Sequence, residues 1–342
     1  MQDNIEVALE KLDSSLKKAT NILVISHQGA DIDAAASCLL FKELASIHYN
    51  NIQDIDIRLE GKPSTPISSI RDLKKILSNY IESFDEIFLD KYDTLVIVDA
   101  SDLGRCFDNA DFKMIEDNNI LVIDHHQNDL LHRVDIHIDR ALASATEEIY
   151  TGFRGIFKED LIVSKYIAEL IQIGVISDTN NFQFEKPKSQ TYEIFVDLYD
   201  YAKVDPKSIL KHSYKLTKKA NEYLIKLIEN TRYKDNFAYT YLLDIPEEDR
   251  ADAGLAKHYF SDLYLRNIEG VEWGFLVKKE CGVENQWGAS FRSQFGKREV
   301  RDIAMSFPGG GGHLYAAGCS FTATSLEDAF RIVLEAEEKT RK

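Results

Sequence analysis

The stretch NILVISHQGADIDAAAS, residues 21–37, decides the fold. Its opening run NILVIS is short and continuously apolar at its centre, the signature of a strand buried on both faces of a parallel sheet. Polar chemistry then begins abruptly with His27, Asp31 and Asp33, and helical periodicity follows from Asp33 to about Ile47. The theme recurs at NILVIDHH, residues 119–126, where the apolar run ends in Asp124, His125 and His126. TLVIVDAS, residues 94–101, places Asp99 in the same way. IQIGVISD, residues 171–178, is taken as a fourth strand end carrying Asp178, although the longer segment SKYIAELIQIGVISD has helical character. In an open α/β sheet, ligands gather at the carboxyl ends of the strands. The four ends therefore predict one shared site.

Around these strings, residues 21 to about 200 alternate short apolar runs with longer amphipathic stretches, as βαβ units do. Further strands are expected near IDIRLE (55–60) and FDEIFL (84–89), and a helix at ASATEEIYTGF (143–153). The stretch from Tyr201 to Tyr214 contains a proline and several charges between two helical patterns, so the domain connection is placed there. Beyond it the pattern is α+β: a helix near 217–230, a strand at 237–243, a helix across 247–267 and strands at 271–278 and 286–293. A glycine run at 309–312 then leads to a last strand and a closing helix. The expected fold class is α/β, with an N-terminal parallel-sheet domain over 1–200, a linker over 201–214, and a smaller α+β domain over 215–342.

The 342 residues, 44% apolar and 11% aromatic, are enough to bury two cores. The formal net charge of −16 argues against wrapping long nucleic acid on a basic surface, which needs many cation–phosphate contacts. A small phosphorylated ligand gripped by a few local cations stays compatible with it. Cys38, Cys106, Cys281 and Cys319 are widely spaced, without a CxxC pair, and read as free thiols in a reducing cytosol. The first twenty residues lack an apolar signal-peptide core, and no window approaches eighteen apolar residues, so a cytoplasmic chain without a membrane span is expected.

Carboxylates and imidazoles in this pattern suit hard and borderline divalent ions, manganese in particular. Asp31 and Asp33 are two residues apart, so a loop can aim them at different ions, while His27 reaches in from its strand. Asp99 is placed to bridge, and His125 and Asp178 complete a second ion. Such a pair leaves room for water and a phosphate oxygen, as phosphoryl displacement needs. A competing structural reading makes Asp31 or Asp33 a helix cap. It accounts for one string but not for four.

PGGGGH, residues 308–313, reads by itself either as a flexible loop or as a backbone nest for an anion, with His313 as a further donor. Arg292, in SFRS, adds a guanidinium fork suited to phosphate. His48, His132, His137, His212 and His258 show no comparable context.

At these residues the sequence resembles the DHH phosphoesterase family, named for the triplet Asp124-His125-His126. HQGADIDAAAS resembles the first motif, VDASDLGR the second, VIDHH the third and GVISDTNNF the fourth; SFRS with PGGGGHLYAAGC resembles the family's C-terminal associated domain. Within the family the chain is most similar to the bacterial oligoribonucleases (nanoRNases) that also remove the 3′-phosphate of pAp. The resemblance implies two manganese ions, one on His27, Asp31 and Asp99 and the other on Asp33, Asp99, His125 and Asp178. It implies that His126 meets the reacting phosphate or leaving group, with Asp124 orienting a neighbouring histidine. Arg292, His313 and the glycines Gly310, Gly311 and Gly312 would hold phosphate, and Arg105 matches an arginine common after the second motif. Ala30, Ile32 and Ala36 depart from the family's usual proline and glycines, which bears on loop shape and substrate preference.

The leading expectation is hydrolysis of very short oligonucleotides and pAp. Competing expectations are degradation of cyclic di-AMP or pApA, a pyrophosphatase or exopolyphosphatase, which normally lacks the GGGGH ending, and a metal-dependent nucleotide sensor without turnover. Neither long nucleic acid nor membrane is an expected partner. A homodimer is left open by the sequence.

Overall fold

The computed structural model describes residues 2–60, 80–81, 87, 89–101, 103–107, 118–126, 134–182, 187–207, 215–279 and 285–341. The chain divides into two compact units, Met1–Tyr214 and Lys215–Lys342. Residues 208–214, within the expected linker, lie outside the described residues, as do Cys281 and all of the expected strand 84–89 but Ile87 and Leu89.

In the first unit, helix α1 (Gln2–Leu16) precedes strand β1 (Asn21–Ile25), helix α2 (Ile32–His48) and strand β2 (Asp54–Glu60). A short β3 (Tyr80–Ile81), β4 (Thr94–Val98), β5 (Asn119–Ile123) and β6 (Ile136–Ile138) follow, then helices α3 (Ala145–Phe157), α4 (Lys165–Asp178) and α5 (Ser189–Ala202). The sheet order is β3-β2-β1-β4-β5-β6, and every pairing is parallel. Strand order reverses between β1 and β4. At that switch point the loops leaving the two strands diverge and open a crevice at their carboxyl ends.

The apolar runs build this sheet because both faces are covered. Ile22 and Val24 of β1 join one core with α2, α3 and α4, while Leu23 and Ile25 join another with Leu89, Tyr92, Leu103, Cys106 and Phe107. Four residues buried on alternating faces explain why the strand reads as a continuous apolar stretch rather than an alternating one.

One expectation is corrected here. Asp178 ends a helix, α4, and not a strand. IQIGVISD is the second half of a fourteen-residue helix whose inner face is buried against α2, so its apolar run looks like a core strand when read in isolation. Periodicity alone does not separate the two, and length does.

The second unit contains α6 (Lys218–Glu229), β7 (Arg232–Lys234), β8 (Phe237–Leu242), α7 (Arg250–His258), β9 (Trp273–Lys279), β10 (Gln286–Ser293), α8 (Arg301–Met305), β11 (Gly311–His313), β12 (Ala316–Thr322) and α9 (Leu326–Thr340). Its sheet runs β11-β12-β10-β9-β8-β7, with β8 and β9 parallel and the rest antiparallel. The helix expected across 247–267 is broken: α7 passes into a π-helical turn, Tyr259–Tyr264. Cys38, Cys106 and Cys319 are buried free thiols. Among the described residues, no helix is long and apolar enough to cross a membrane.

Candidate metal centre

The loop that leaves β1 is pinned before it delivers its side chains. Ser26, fully buried, donates its hydroxyl proton to Val98 O at 2.7 Å and ties the end of β1 to the end of β4. His27 follows, with Nδ1 2.9 Å from Gln28 O. A carbonyl only accepts, so Nδ1 carries a proton, and Nε2 is the atom that would offer a lone pair to a cation once its own proton has left. His27 Nε2 lies 3.6 Å from Asp99 Oδ2 and 4.0 Å from Asp31 Oδ1.

Asp31 caps α2, accepting from Ala34 N–H at 3.1 Å. The capping reading is thus correct for this residue, and it leaves the other carboxylate oxygen available. Asp33, two residues on, is fully buried in the first turn of α2.

Asp99 follows β4 with φ of 53°, a left-handed conformation rare for a non-glycine residue. Such strain, on the order of 1–3 kcal/mol, persists where the surroundings impose it. Here it sets one carboxylate between two histidines: Oδ2 faces His27, and Oδ1 lies 3.3 Å from His125 Nε2. Asp124 caps the turn after β5. Its Oδ1 accepts from the backbone N–H of His125 and His126 and from His126 Nδ1, at 2.8, 3.1 and 2.8 Å. In the neutral ring that places the proton on Nδ1 and the lone pair on Nε2. His125 Nδ1 lies 3.4 Å from Leu142 O, which turns its Nε2 toward Asp99 and, at 3.4 Å, toward Asp178 Oδ2.

The expected ligands therefore converge in two groups. Ligand atoms of His27, Asp31 and Asp99 lie within 4.8 Å of one another, as do those of Asp33, His125 and Asp178; Asp99, Asp124, His125 and His126 form an overlapping set. Their electrostatics fit divalent cations. Burial, then the Asp99 and Asp178 charges, push the Asp33 carboxyl well above its usual range. Burial opposes charge on the His27 ring, but Asp99 and Asp31 outweigh it and raise the ring to about 10. At Asp99 burial is outweighed by His125 and His27, which hold its carboxyl far below the ordinary value. Crowded carboxylates that hold protons in this way exchange them for a metal. Asp99 Oδ1 and Asp124 Oδ2 are moreover buried without a hydrogen bond.

Some residues that matter here carry no metal-like signal in the sequence. Ala145 N–H and Thr146 N–H and Oγ1 all donate to Asp33. Glu148 accepts from Leu142 N–H and from the Arg140 backbone and side chain, and so holds the loop whose Leu142 carbonyl faces His125. SATEE, residues 144–148, is legible only as a helix start with Ser144 as cap.

The remaining expected site residues are placed as follows. Arg105 is exposed, and its carbonyl accepts from Gln28 N–H at 2.8 Å. In the second unit Arg292 is clamped by the buried Asp262, with Nε–Oδ1 at 2.7 Å and Nη2–Oδ2 at 3.3 Å. His258, set aside in the sequence, lies 3.2 Å from the same carboxylate. Gly311, Gly312 and His313 form β11 against β12. Gly310 and Gly312 have packing reasons to be glycine: a Cβ would fall 1.9 Å from Ala304 O and 2.6 Å from Ala316 O, and φ at Gly312 is +133°. Gly311 has open space.

A parallel sheet in this strand order, with histidines and carboxylates gathered at its carboxyl ends, defines an α/β domain whose clustered side chains could hold metal ions. Residues 21–175 match the model of the DHH family, N-terminal domain. Over 322 residues the chain is 24% identical to a membrane protein–large ribosomal subunit bL9 fusion protein of Aster yellows witches'-broom phytoplasma, covering 91% of this chain and 36% of that protein. The chain thus spans about a third of that relative's length. Over 292 residues it is 25% identical to the bifunctional oligoribonuclease and PAP phosphatase NrnA of Bacillus subtilis, covering 82% of this chain and 87% of NrnA. The crystal structure of an exopolyphosphatase-related protein from Bacteroides fragilis has the same fold, with a TM-score of 0.80 at 22% identity over 97% of this chain and 96% of that one.

Proposed function

We infer that the chain is a metal-dependent phosphoesterase that hydrolyses short oligonucleotides and the 3′-phosphate of pAp, with manganese as its metal. The observation that carries this reading is the pair of ligand groups, His27–Asp31–Asp99 and Asp33–His125–Asp178, with Asp99 and His125 3.3 Å apart between them. Two ions held there would supply Lewis-acid polarisation of a phosphate oxygen and an activated water. The chain's own residues do the rest. Asp124 holds His126 Nδ1–H, so that His126 Nε2 can accept a proton or, once protonated, donate one to a departing oxygen. His126 keeps 26% side-chain exposure, enough to meet a substrate, whereas His125 has none.

Similarity to NrnA over most of both chains supports the choice of substrate. In the second unit, Arg292, fixed by Asp262, offers a preset fork for a non-reacting phosphate. Binding energy gained at a remote phosphate can be used to orient the reacting one.

The test is a panel of pAp, a dinucleotide, pApA, cyclic di-AMP and pyrophosphate, offered at equal concentration with manganese. Highest initial rates on the dinucleotide and pAp support the reading. Preference for cyclic di-AMP or pApA redirects it to cyclic-dinucleotide turnover, and tight binding without turnover to a sensor.

A further inference from the structure

Three helices meet at Asp33. Its carboxylate sits in the first turn of α2, faces the amino end of α3, and lies against the middle of α4. Oδ2 accepts from Ala145 N–H at 2.7 Å. Oδ1 accepts from Thr146 Oγ1 at 3.0 Å and more weakly from Thr146 N–H at 3.3 Å. Asp33 and Thr146 are fully buried, so water does not substitute for these donors.

The protons in this cluster can be followed. Ser144 Oγ accepts from Glu147 N–H and lies 2.8 Å from Thr146 Oγ1. With a cation in place Asp33 is ionised and only accepts, so Thr146 then donates to it and Ser144 donates to Thr146. Two hydroxyls in series polarise one another toward the carboxylate. Each carboxylate oxygen has two lone-pair directions, so Thr146 occupies those of Oδ1, while Oδ2, engaged by Ala145 N–H alone, keeps one to offer a cation.

The third helix makes room for this contact. A Cβ on Gly174 would fall 2.2 Å from Thr146 Oγ1, 2.3 Å from Asp33 Oδ1 and 2.6 Å from Thr146 Cγ2. None of the three atoms can swing away, because both side chains are enclosed. Gly174 has ordinary helical φ, so its lack of a side chain answers to space and not to backbone conformation.

We propose that Thr146 is a positioning residue for Asp33, aiming its carboxylate into the group shared with His125 and Asp178, and that Gly174 is glycine to admit the hydroxyl–carboxylate contact. This rests on the reading of that group as a metal site. It makes the two ion positions unequal: the one served by Asp33 depends on Thr146, and the one served by His27 and Asp31 does not.

The experiment is a calorimetric titration of the metal-depleted full chain with manganese, repeated with cobalt to follow the visible spectrum. The parent should bind two ions. Thr146→Val, which keeps the shape and removes the hydroxyl, should weaken one of the two steps by about 10–100-fold and leave the other unchanged, with Thr146→Ser restoring it. Gly174→Ala should weaken the same step although the hydroxyl is present. Each variant is checked by thermal melt, and Thr146→Ala carries the test should the valine variant fail to fold. A folded valine or alanine variant that binds both ions with parental affinities overturns the inference while leaving the site intact. A parent that takes up no metal overturns the reading of the site and this inference with it.

Discussion

Asp99 Oδ1 stands 3.3 Å from His125 Nε2 while the other oxygen of the same carboxylate faces His27, so one side chain joins the two ligand groups. Its left-handed backbone makes that position specific. Asp99→Ala should lower metal content from two ions to one or none, by elemental analysis of the folded variant. Turnover should fall by more than the roughly hundredfold typical of changes outside the ligand set. A folded variant with two ions and parental rate would assign Asp99 to structure alone.

His126→Ala separates chemistry from metal binding. The ring is held by Asp124 and is not needed for either three-residue ligand group. The expected outcome is a loss of turnover of about 10²–10⁴-fold, the usual worth of a positioned acid or base, with both ions retained. Loss of one ion together with activity would make His126 a ligand instead.

The fall of stability with rising pH should flatten with metal. Without metal, His27 is raised from 6.5 to about 10, so the folded state binds its proton more tightly than the unfolded state between those values. That stabilisation is complete below about pH 6.5 and is lost as pH rises toward about 10. The raised Asp33 carboxyl acts in the same direction from its ordinary value of 3.8 upward. Ligation by manganese needs both groups deprotonated, so metal-induced stabilisation should grow with pH over the same window. Melting temperatures of chelated and manganese-loaded protein between pH 6 and 9 check this. Parallel curves would mean that these protons do not compete with the metal.

The sheet and most of the candidate ligands are legible because strands buried on both faces advertise themselves, and His27, Asp99 and Asp124–His126 follow them directly. Asp178 is picked out by residue type; IQIGVISD alone reads like a strand, the whole of SKYIAELIQIGVISD reads as a helix, and the helix is what forms. Thr146, Glu148 and Leu142 O were not legible. Their role depends on α3 starting beside α2 and His125, a relation between residues over a hundred positions apart in the case of Asp33 and Thr146. The clamp of Asp262 on Arg292 was hidden likewise, in a π-helical turn that periodicity reads as continuous helix.

That clamp has its own consequence. Burial disfavours charge on Asp262, yet Arg292 and His258 outweigh it and keep its carboxyl far below the ordinary range, so the pair is ionised at neutral pH. Asp262→Asn removes the counter-charge of a half-buried guanidinium and should lower stability by less than the about 3–5 kcal/mol typical of breaking a fully buried pair. If Arg292 grips a distant phosphate, the folded variant should show a raised KM for pAp and dinucleotides, with metal content unchanged. A destabilised variant with parental KM would confine the pair to a structural role.

Substrate length gives the sharpest separation among the expected activities. A chain of net charge −16 offers phosphates beyond the site an acidic field, and each added phosphate on a long strand meets repulsion where a processive nuclease would provide a basic track. A dinucleotide should therefore be hydrolysed faster than a strand of roughly twenty-five nucleotides at the same 5′-end concentration. Because the repulsion is screened within a Debye length of about 10 Å at 0.1 M salt, the gap should narrow as salt rises. Equal or faster cleavage of the long strand at low salt would rule out the short-substrate reading and point to an exonuclease that tracks along single strands.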